Sequence, residues 1–248
     1  MPHILGNYVG VGSDERSSGK SPLLTGLSAY WKMDETSGAR ADATGNGFTL
    51  TDNNTCGFGT GIKNNAVAFV KENLETLTLT PGTLFPDSTS MGEFSIAGRY
   101  NLSSTLSDGI IQGLTDCNGS GIRWSIQKVN STTVIIFLNV TGAGGVVGIT
   151  TASLASTMDA WHHYAISYSL TTSKATIYMD GTNVGEAATK GLVSRGTPSP
   201  GGSEMLLGRD LWISGNYNTG MQDEWGVWKA KALSQADVTL LQTKFYPF

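Results

Sequence analysis

Apolar and polar residues alternate along most of the chain, and the segment from Leu27 to Asp34 shows the pattern clearly. Every second residue from Leu27 to Met33 is apolar. A period of two is typical of a strand that buries one face. Clusters of Gly, Asn, Asp and Ser separate similar segments, which predict further strands over residues 66–70, 74–79, 93–100, 108–114, 122–129, 133–140, 146–150, 161–170, 174–180, 183–187, 204–209 and 221–229.

One helical pattern stands near the C-terminus. Ser234 is a favourable N-cap, and Asp237 follows in the first turn, where the helix dipole favours a negative charge. Val238, Leu241 and Phe245 recur at helical spacing and would share one face. We therefore predict a single short C-terminal helix.

About a dozen strands with no helices between them indicate two packed antiparallel sheets in one domain. We assign this domain to residues 23–248. Residues 1–22 are predicted to form an N-terminal arm, because the stretch from Ser13 to Pro22 is polar and has no period. Such a segment becomes ordered when it docks on a partner.

The composition narrows the possible functions. Only 15% of the residues are charged and the formal net charge is −4, with 16 Lys and Arg spread thinly along the chain. We therefore expect no nucleic-acid binding, which needs a basic face. The longest apolar run, Val134 to Leu138, is too short to span a membrane. The first residues lack a basic cap and an apolar stretch, so we expect no export by a signal peptide.

The chain has two cysteines, Cys56 and Cys117, and each lies in a loop rich in Gly and Asn. They would form a disulfide if the two loops meet, and otherwise they are unrelated small residues. Two cysteines cannot provide a cysteine-based zinc site.

Several segments in order carry a family resemblance. They are residues 27–38 and 42–47, residues 65–69, residues 161–168 and 177–181, and finally residues 207–209, 220–228 and 232–234. Their order and spacing resemble the laminin-G-like jelly rolls of the concanavalin A-like lectin/glucanase superfamily. The resemblance implies an all-β, two-sheet antiparallel jelly-roll sandwich. It also implies that the strand with Trp31 lies near the strand with Trp225, and that both residues belong to the core with Phe69 and Trp161.

Hydrolases of this fold carry carboxylates that alternate on one strand as Glu-x-Asp-x-x-Glu, which places a nucleophile and an acid on one face. None of the eight Glu residues lies in such a run. Asp223 and Glu224 are adjacent, so on a regular strand they would face opposite sides. His162 and His163 would also point to opposite faces, and the resemblance gives them a packing role. We therefore predict a protein that is not an enzyme.

The resemblance also suggests a metal site. It places Asp34, Asp42 and Asp223 at one rim of the sandwich, where carboxylates and backbone carbonyls would suit a structural Ca²⁺. This calcium would join the first strand to the last. In the alternative interpretation, Asp42 caps a turn and Asp223 accepts backbone hydrogen bonds.

A glycan site needs an exposed aromatic ring beside amides or carboxylates, because the C–H face of a sugar stacks on the ring. Trp212, Asn216 and Tyr217 lie together in one loop and are the candidate ligand-binding residues. In the alternative interpretation, this loop folds over the edge of the sandwich or packs against another subunit. In the second case the protein would be a homo-oligomer.

These features together predict a non-catalytic structural or recognition module. The polar arm, the low charge and the lack of a leader resemble structural proteins of phage particles. We therefore expect a virion surface protein, for capsid decoration or in a tail, that is anchored to other virion proteins by its arm and touches glycans. The alternative is a carbohydrate-binding or adhesion module of a secreted bacterial protein at the cell surface.

Overall fold

The structure is a computed structural model that describes residues 21–79, 84, 90–105, 112–117, 122–142, 145–172, 174–188, 193–194, 205–209 and 216–244. Most of the predicted arm, residues 1–20, lies outside this part of the chain. Residues 21–24 belong to the folded domain. Pro22–Leu24 forms a short 3-10 helix capped by Ser21, and Leu23 is buried.

The described residues form seventeen strands, a second 3-10 helix at Lys71–Asn73 and one α-helix, Gln235–Lys244 (α1). The strands are Leu27–Trp31 (β1), Thr51–Asn53 (β2), Gly57–Thr60 (β3), Asn65–Phe69 (β4), Thr76–Leu79 (β5), Ser90–Met91 (β6), Glu93–Leu102 (β7), Gln112–Cys117 (β8), Ile122–Asn130 (β9), Thr133–Gly142 (β10), Gly145–Ala155 (β11), Trp161–Ser169 (β12), Lys174–Met179 (β13), Thr182–Ala188 (β14), Val193–Ser194 (β15), Met205–Leu207 (β16) and Gly220–Trp228 (β17). The prediction of an all-β fold with one short C-terminal helix is confirmed.

The strands form two antiparallel sheets. The first has the order β14–β13–β12–β7–β17–β4–β3, and β1 also pairs with β17. The second has the order β2–β5–β16–β8–β9–β10–β15–β6, with β11 paired to β10. Strand β17 has two neighbours on one side, because residues 220–222 pair with β4 and residues 225–228 pair with β1. Trp31 lies opposite Trp225, so the first strand meets the last as predicted.

Aromatic side chains from both sheets fill the space between them. The rings of Trp124 in β9 and Trp225 in β17 lie 6.2 Å apart between centroids, and both side chains are buried. Phe69 is also buried, whereas Trp161 is only partly buried, so its predicted place in the core is wrong. Burial of one such ring stabilises the fold by about 1.5–3 kcal/mol.

A second apolar cluster covers the outer face of the first sheet. Val238 and Leu241 of α1 pack there together with Leu23 and Trp228. The helix begins as predicted, because the Asp237 amide donates to Ser234 Oγ and the Ser234 amide donates to Asp237 Oδ2. This reciprocal cap fixes where the helix starts on the sheet.

Cys56 is a buried free thiol, and its burial raises its pKa. The disulfide with Cys117 that the sequence left open is therefore not formed in this structure. The strands β2 and β3 were not predicted, because their polar and Gly-rich sequences lack an apolar alternation.

Candidate functional site

A β-bulge in β17 shapes the rim where β1, β4 and β17 meet. Asp223 pairs with Arg99 of β7, and Gly226 pairs with Ala97. The first pair and the second are three residues apart along β17 but only two residues apart along β7, so β17 has one extra residue here. Glu224 lies within this bulge and has a φ of 53°. A bulge interrupts the alternation of faces. The expectation that Asp223 and Glu224 face opposite sides is therefore wrong.

Both carboxyl groups belong to the outer face of the first sheet. Asp223 shares its register position with Arg99, whose guanidinium donates to the Leu241 carbonyl of α1 on that face. Glu224 Oε2 accepts the hydroxyl proton of Tyr30, which projects from β1 on the same side. The bulge thus places two consecutive acids under the rim of one face.

Burial controls the charge of these two acids. Asp223 is fully buried, and its burial, together with the smaller effect of the charge of Asp34, raises its pKa to about 7. Its Oδ2 accepts the Ile62 amide at 2.8 Å, whereas its Oδ1 has no partner among the described residues. Burial raises the pKa of Glu224 to about 8, so this side chain is mostly protonated at neutral pH.

Asp34 lies close to Asp223 and binds the same loop. Asp34 Oδ1 accepts the Asn65 amide at 3.3 Å, and Oδ2 accepts Asn64 Nδ2 at 3.2 Å. Asn65 Nδ2 donates back to the Asp34 carbonyl at 2.9 Å. The two acids therefore hold residues 62–65 between the end of β1 and the bulge of β17.

Asp42 has a different environment. Its Oδ1 accepts the amides of Tyr30 at 3.0 Å and Thr44 at 2.9 Å, and its Oδ2 accepts the Phe48 amide at 3.2 Å. This is the turn-capping geometry that was the alternative to a metal ligand. In the described part of the chain, no three His, Cys, Asp or Glu side chains cluster closely enough to hold a metal ion by themselves.

The predicted sugar-binding loop is described in part. Trp212 lies outside the described residues, and Asn216 is buried with its Nδ2 unpaired among them. Tyr217 is partly exposed, and the Arg209 guanidinium lies 5.2 Å from the centre of its ring. Arg209 Nη1 also donates to Tyr217 Oη at 3.4 Å. Asn216 and Asn218 flank Tyr217 in the sequence and are both buried.

Arg209 and Asn218 were not among the predicted site residues. Arg209 and Tyr217 form an isolated bridge between two segments that are separated in sequence, so their contact depends on the loop between them. Asn218 is fully buried, and neither its Oδ1 nor its Nδ2 has a partner among the described residues. A signal for this arrangement is present in the sequence. In the order Asn216, Tyr217, Asn218, a period of two predicts that the two amides lie on the buried side of the chain and the ring on the other side.

The adjacent histidines have opposite electrostatic environments. His163 is buried, and its burial lowers its pKa to about 3. His162 Nδ1 lies 2.7 Å from Asp180 Oδ2, and its Nε2 lies 3.0 Å from both the hydroxyl and the carbonyl oxygen of Thr157. The carbonyl requires a proton on Nε2 and the carboxylate requires one on Nδ1. Both contacts therefore favour the protonated ring, and the hydrogen bond to Asp180 raises the pKa of His162.

No helix in the described part of the chain has both the length and the apolar character needed to cross a membrane.

Comparisons with known proteins agree with this architecture. The binding domain of Paraclostridial Mosquitocidal Protein 1 superposes with a TM-score of 0.67 at 13% identity, covering 90% of this chain and 53% of that one. Domain 4 of AbnA, an extracellular arabinanase from Geobacillus stearothermophilus solved with arabinotriose, gives 0.60 at 16% identity and covers 88% and 98%. The binding domain of botulinum neurotoxin DC, solved with SialylT, gives 0.63 at 10% identity and covers 90% and 52%. The chain thus spans about half the length of the two toxin domains.

A search of curated protein sequences finds no match. The laminin-G-type family model, described as the concanavalin A-like lectin/glucanases superfamily, matches residues 76–239, which is more than half of the 248 residues. The chain therefore belongs to the laminin-G-like family of the concanavalin A-like lectin/glucanase superfamily.

Proposed function

We propose that this protein is a non-catalytic recognition module that binds carbohydrate at the segment around Tyr217. The observation that carries this proposal is the partly exposed ring of Tyr217, held by the Arg209 guanidinium at 5.2 Å. A fixed aromatic ring with a neighbouring donor suits a sugar, whose C–H face stacks while its hydroxyls accept hydrogen bonds. Asn216 and Asn218, the residues on either side of Tyr217 in the sequence, are buried and have amide atoms without partners among the described residues.

Two structural neighbours support a sugar as the ligand class. One was solved with arabinotriose and the other with SialylT. The acids of this chain argue against hydrolysis at the rim. Asp223 and Glu224 are both buried and each is directed at a different protein group, Ile62 and Tyr30. A glycosidase instead needs two carboxyl groups facing one sugar bond.

Binding of neutral and sialylated trisaccharides, including arabinotriose, would be measured by calorimetry and by NMR shifts of backbone amides. We expect Tyr217→Ala to weaken binding at least tenfold, because the stacking surface is lost. Phe58→Ala is the matched control, since Phe58 is also an exposed aromatic residue and lies in β3. Absence of binding at millimolar sugar, or equal affinity of the wild type and Tyr217→Ala, would refute the proposal.

We further propose that a structural Ca²⁺ binds beside Asp34 and Asp223. The unpaired, buried Oδ1 of Asp223 and the proximity of Asp34 fit a hard cation, whereas the oxygens of Asp42 are already engaged with backbone amides. Backbone carbonyls and water would have to complete the coordination. We therefore assign Asp42 to the support of the rim and the other two acids to the metal.

Thermal unfolding in calcium and in a chelator tests this metal site. A ligand that binds only the folded state raises Tm as its concentration rises above Kd. We expect calcium to raise Tm in the wild type and to have no effect on Asp223→Asn, with Glu72→Asn as the exposed control. An equal Tm with calcium and with chelator would refute the calcium site and leave sugar binding unaffected.

We propose that the module is displayed on the surface of a phage particle and is anchored to other virion proteins by residues 1–22. The support is the polar, aperiodic sequence of residues 13–22 and the charged fraction of 15%, which limits repulsion between closely packed copies. Deletion of residues 1–20, which spares the 3-10 helix capped by Ser21, should abolish occupancy on the particle. Full occupancy of the deleted chain would contradict the anchor, and recovery of the native chain from a culture supernatant would favour the secreted bacterial alternative.

A further inference from the structure

A groove of about 450 Å³ lies on the outer face of the first sheet, away from both sites described above. Its floor is formed by β12 and β13, and its walls are the 171–172 turn, β14 and residues 232–234. The side chains that define its chemistry are Glu93, Ser169, Lys174, Thr176, Tyr178 and Glu186. The volume falls within the range of small-ligand sites, about 300–1,000 Å³.

The wall that lies over the sheet is fixed by hydrogen bonds. Ser95 Oγ donates to the Lys231 carbonyl at 3.0 Å and accepts the Leu233 amide at 2.8 Å. Ser167 Oγ donates to the Leu233 carbonyl at 3.0 Å. These bonds within the protein fix the segment, so a ligand would not have to order it.

The polar part of the lining consists mainly of hydroxyl groups and carboxylates. Glu93 Oε1 accepts Ser169 Oγ at 2.9 Å, and its Oε2 lies 3.5 Å from the Ala232 amide nitrogen. Lys174 Nζ lies 2.9 Å from Glu186 Oε1, and both side chains are exposed at the mouth. The two carboxylates and one ammonium give the groove one net negative charge, which disfavours an anionic ligand.

We propose that this groove is a second carbohydrate site and that it takes an uncharged sugar. A neutral polyol matches a lining that offers both donors and acceptors, because each sugar hydroxyl donates one hydrogen bond and accepts others. Glu93 accepts from a pair of neighbouring sugar hydroxyls, Lys174 donates at the mouth, and Tyr178 in the floor with Leu233 in the wall provides the apolar surface. This inference rests on the proposed function, since it assumes that the chain binds sugars.

The two sites lie at opposite ends of β7. Glu93 is the first residue of this strand, whereas the Thr219 carbonyl, which follows the Tyr217 segment, accepts the Ser103 amide just beyond its last residue. Ten residues of strand span about 30 Å. A trisaccharide cannot bridge this distance, so each molecule of protein would bind two sugar chains and cross-link a polysaccharide.

The experiment uses the full chain labelled with ¹⁵N, together with arabinotriose, maltotriose and cellotriose as neutral probes. We expect at least one neutral probe to shift amides in residues 169–176 and 232–234, and calorimetry to give two sites per chain. Glu93→Gln and Thr176→Val should each weaken the groove site about tenfold and leave the Tyr217 site unchanged, whereas Glu72→Gln should change neither. Thermal unfolding of each variant confirms that it is folded.

Other outcomes separate the two proposals. Shifts confined to residues 205–209 and 216–219, with one site per chain, would overturn the groove and leave the proposed function intact. No shift with any sugar would overturn both. Sialyllactose binding in the groove more tightly than the neutral probes, or spermine binding there while the sugars do not, would overturn the neutral-sugar assignment. Release of shorter sugars would overturn non-catalytic binding.

Discussion

The indole ring of Trp225 lies directly over the α-carbon of Gly98, and no space is left between them for a β-carbon. Gly98 is in β7 and Trp225 is in the neighbouring strand β17, just after the bulge. The contact lets the indole lie flat against its own sheet and still reach Trp124 in the opposite sheet. Gly98 therefore sets how far the indole of Trp225 extends across the sandwich.

Gly98→Ala should consequently destabilise the protein by about 1–3 kcal/mol, the usual cost of overpacking a dense core. Chemical denaturation with Trp fluorescence measures this change. Gly57→Ala is the matched control in another strand of the same sheet, because its β-carbon would meet only Ala68 at 3.9 Å. Equal stability of Gly98→Ala and the wild type would show that Trp225 repacks without strain.

The hydroxyl of Tyr30 and the carboxyl of Glu224 join β1 to β17. Tyr30→Phe removes the donor and leaves a buried oxygen of Glu224 without this partner, so we expect a loss of about 1–3 kcal/mol in the free energy of unfolding. Because burial raises the pKa of Glu224 to about 8, a neutral amide is a good substitute for it. Glu224→Gln should therefore cost much less than Tyr30→Phe, and the reverse order would contradict a protonated Glu224.

Asp42 fixes the loop that follows β1 through three backbone amides. Asp42→Ala removes both acceptor oxygens and with them all three hydrogen bonds, and we expect a loss of about 2 kcal/mol, as for a strong capping residue. Asp42→Asn keeps one side-chain oxygen and should lose less. If Asp42 were instead a calcium ligand, the cost of Asp42→Ala would disappear when calcium is chelated, and denaturation with and without chelator distinguishes the two roles.

The sequence predicted most of the fold because alternation directly records which face of a strand is buried. Strands β7, β12 and β17 were each predicted to within two residues, and Ser234 and Asp237 identified the start of α1. Strands β2 and β3 were not predicted because their residues are polar or glycine apart from the exposed Phe58, and because they lie at the edges of their sheets, where little apolar surface is buried.

The candidate site was less predictable because it depends on departures from regular structure. The bulge at Asp223 and Glu224 places both acids on one face, and nothing in a period of two signals the extra residue. The groove is built from Glu93, residues 167–178 and residues 232–234, which are far apart in sequence. Only the topology, with β12 between β7 and β13, brings these three segments together.

The link between His162 and Asp180 should make stability depend on pH. The hydrogen bond to Asp180 raises the pKa of His162 above its usual 6.5. Burial alone would raise the pKa of Asp180, but its bonds to His162 and to the His163 amide lower it below the usual 3.8. The contribution of His162 is complete below pH 6.5 and is lost as the pH rises through its raised pKa. The contribution of Asp180 is complete above pH 3.8 and is lost as the pH falls through its lowered pKa.

His163 changes the free energy of unfolding with pH in the opposite direction. Burial lowers its pKa to about 3, so near pH 5 the unfolded chain takes up a proton that the folded chain does not, and stability falls as the pH falls. The two effects separate when the wild type is compared with His162→Gln, since His163 is common to both. We expect the difference in unfolding free energy to be on the order of 1 kcal/mol near pH 5.5, as for a partly exposed ion pair, and to shrink toward pH 9. Urea denaturation across this range measures it, and a difference that is constant with pH would show that His162 is neutral and does not link the two turns as a cation.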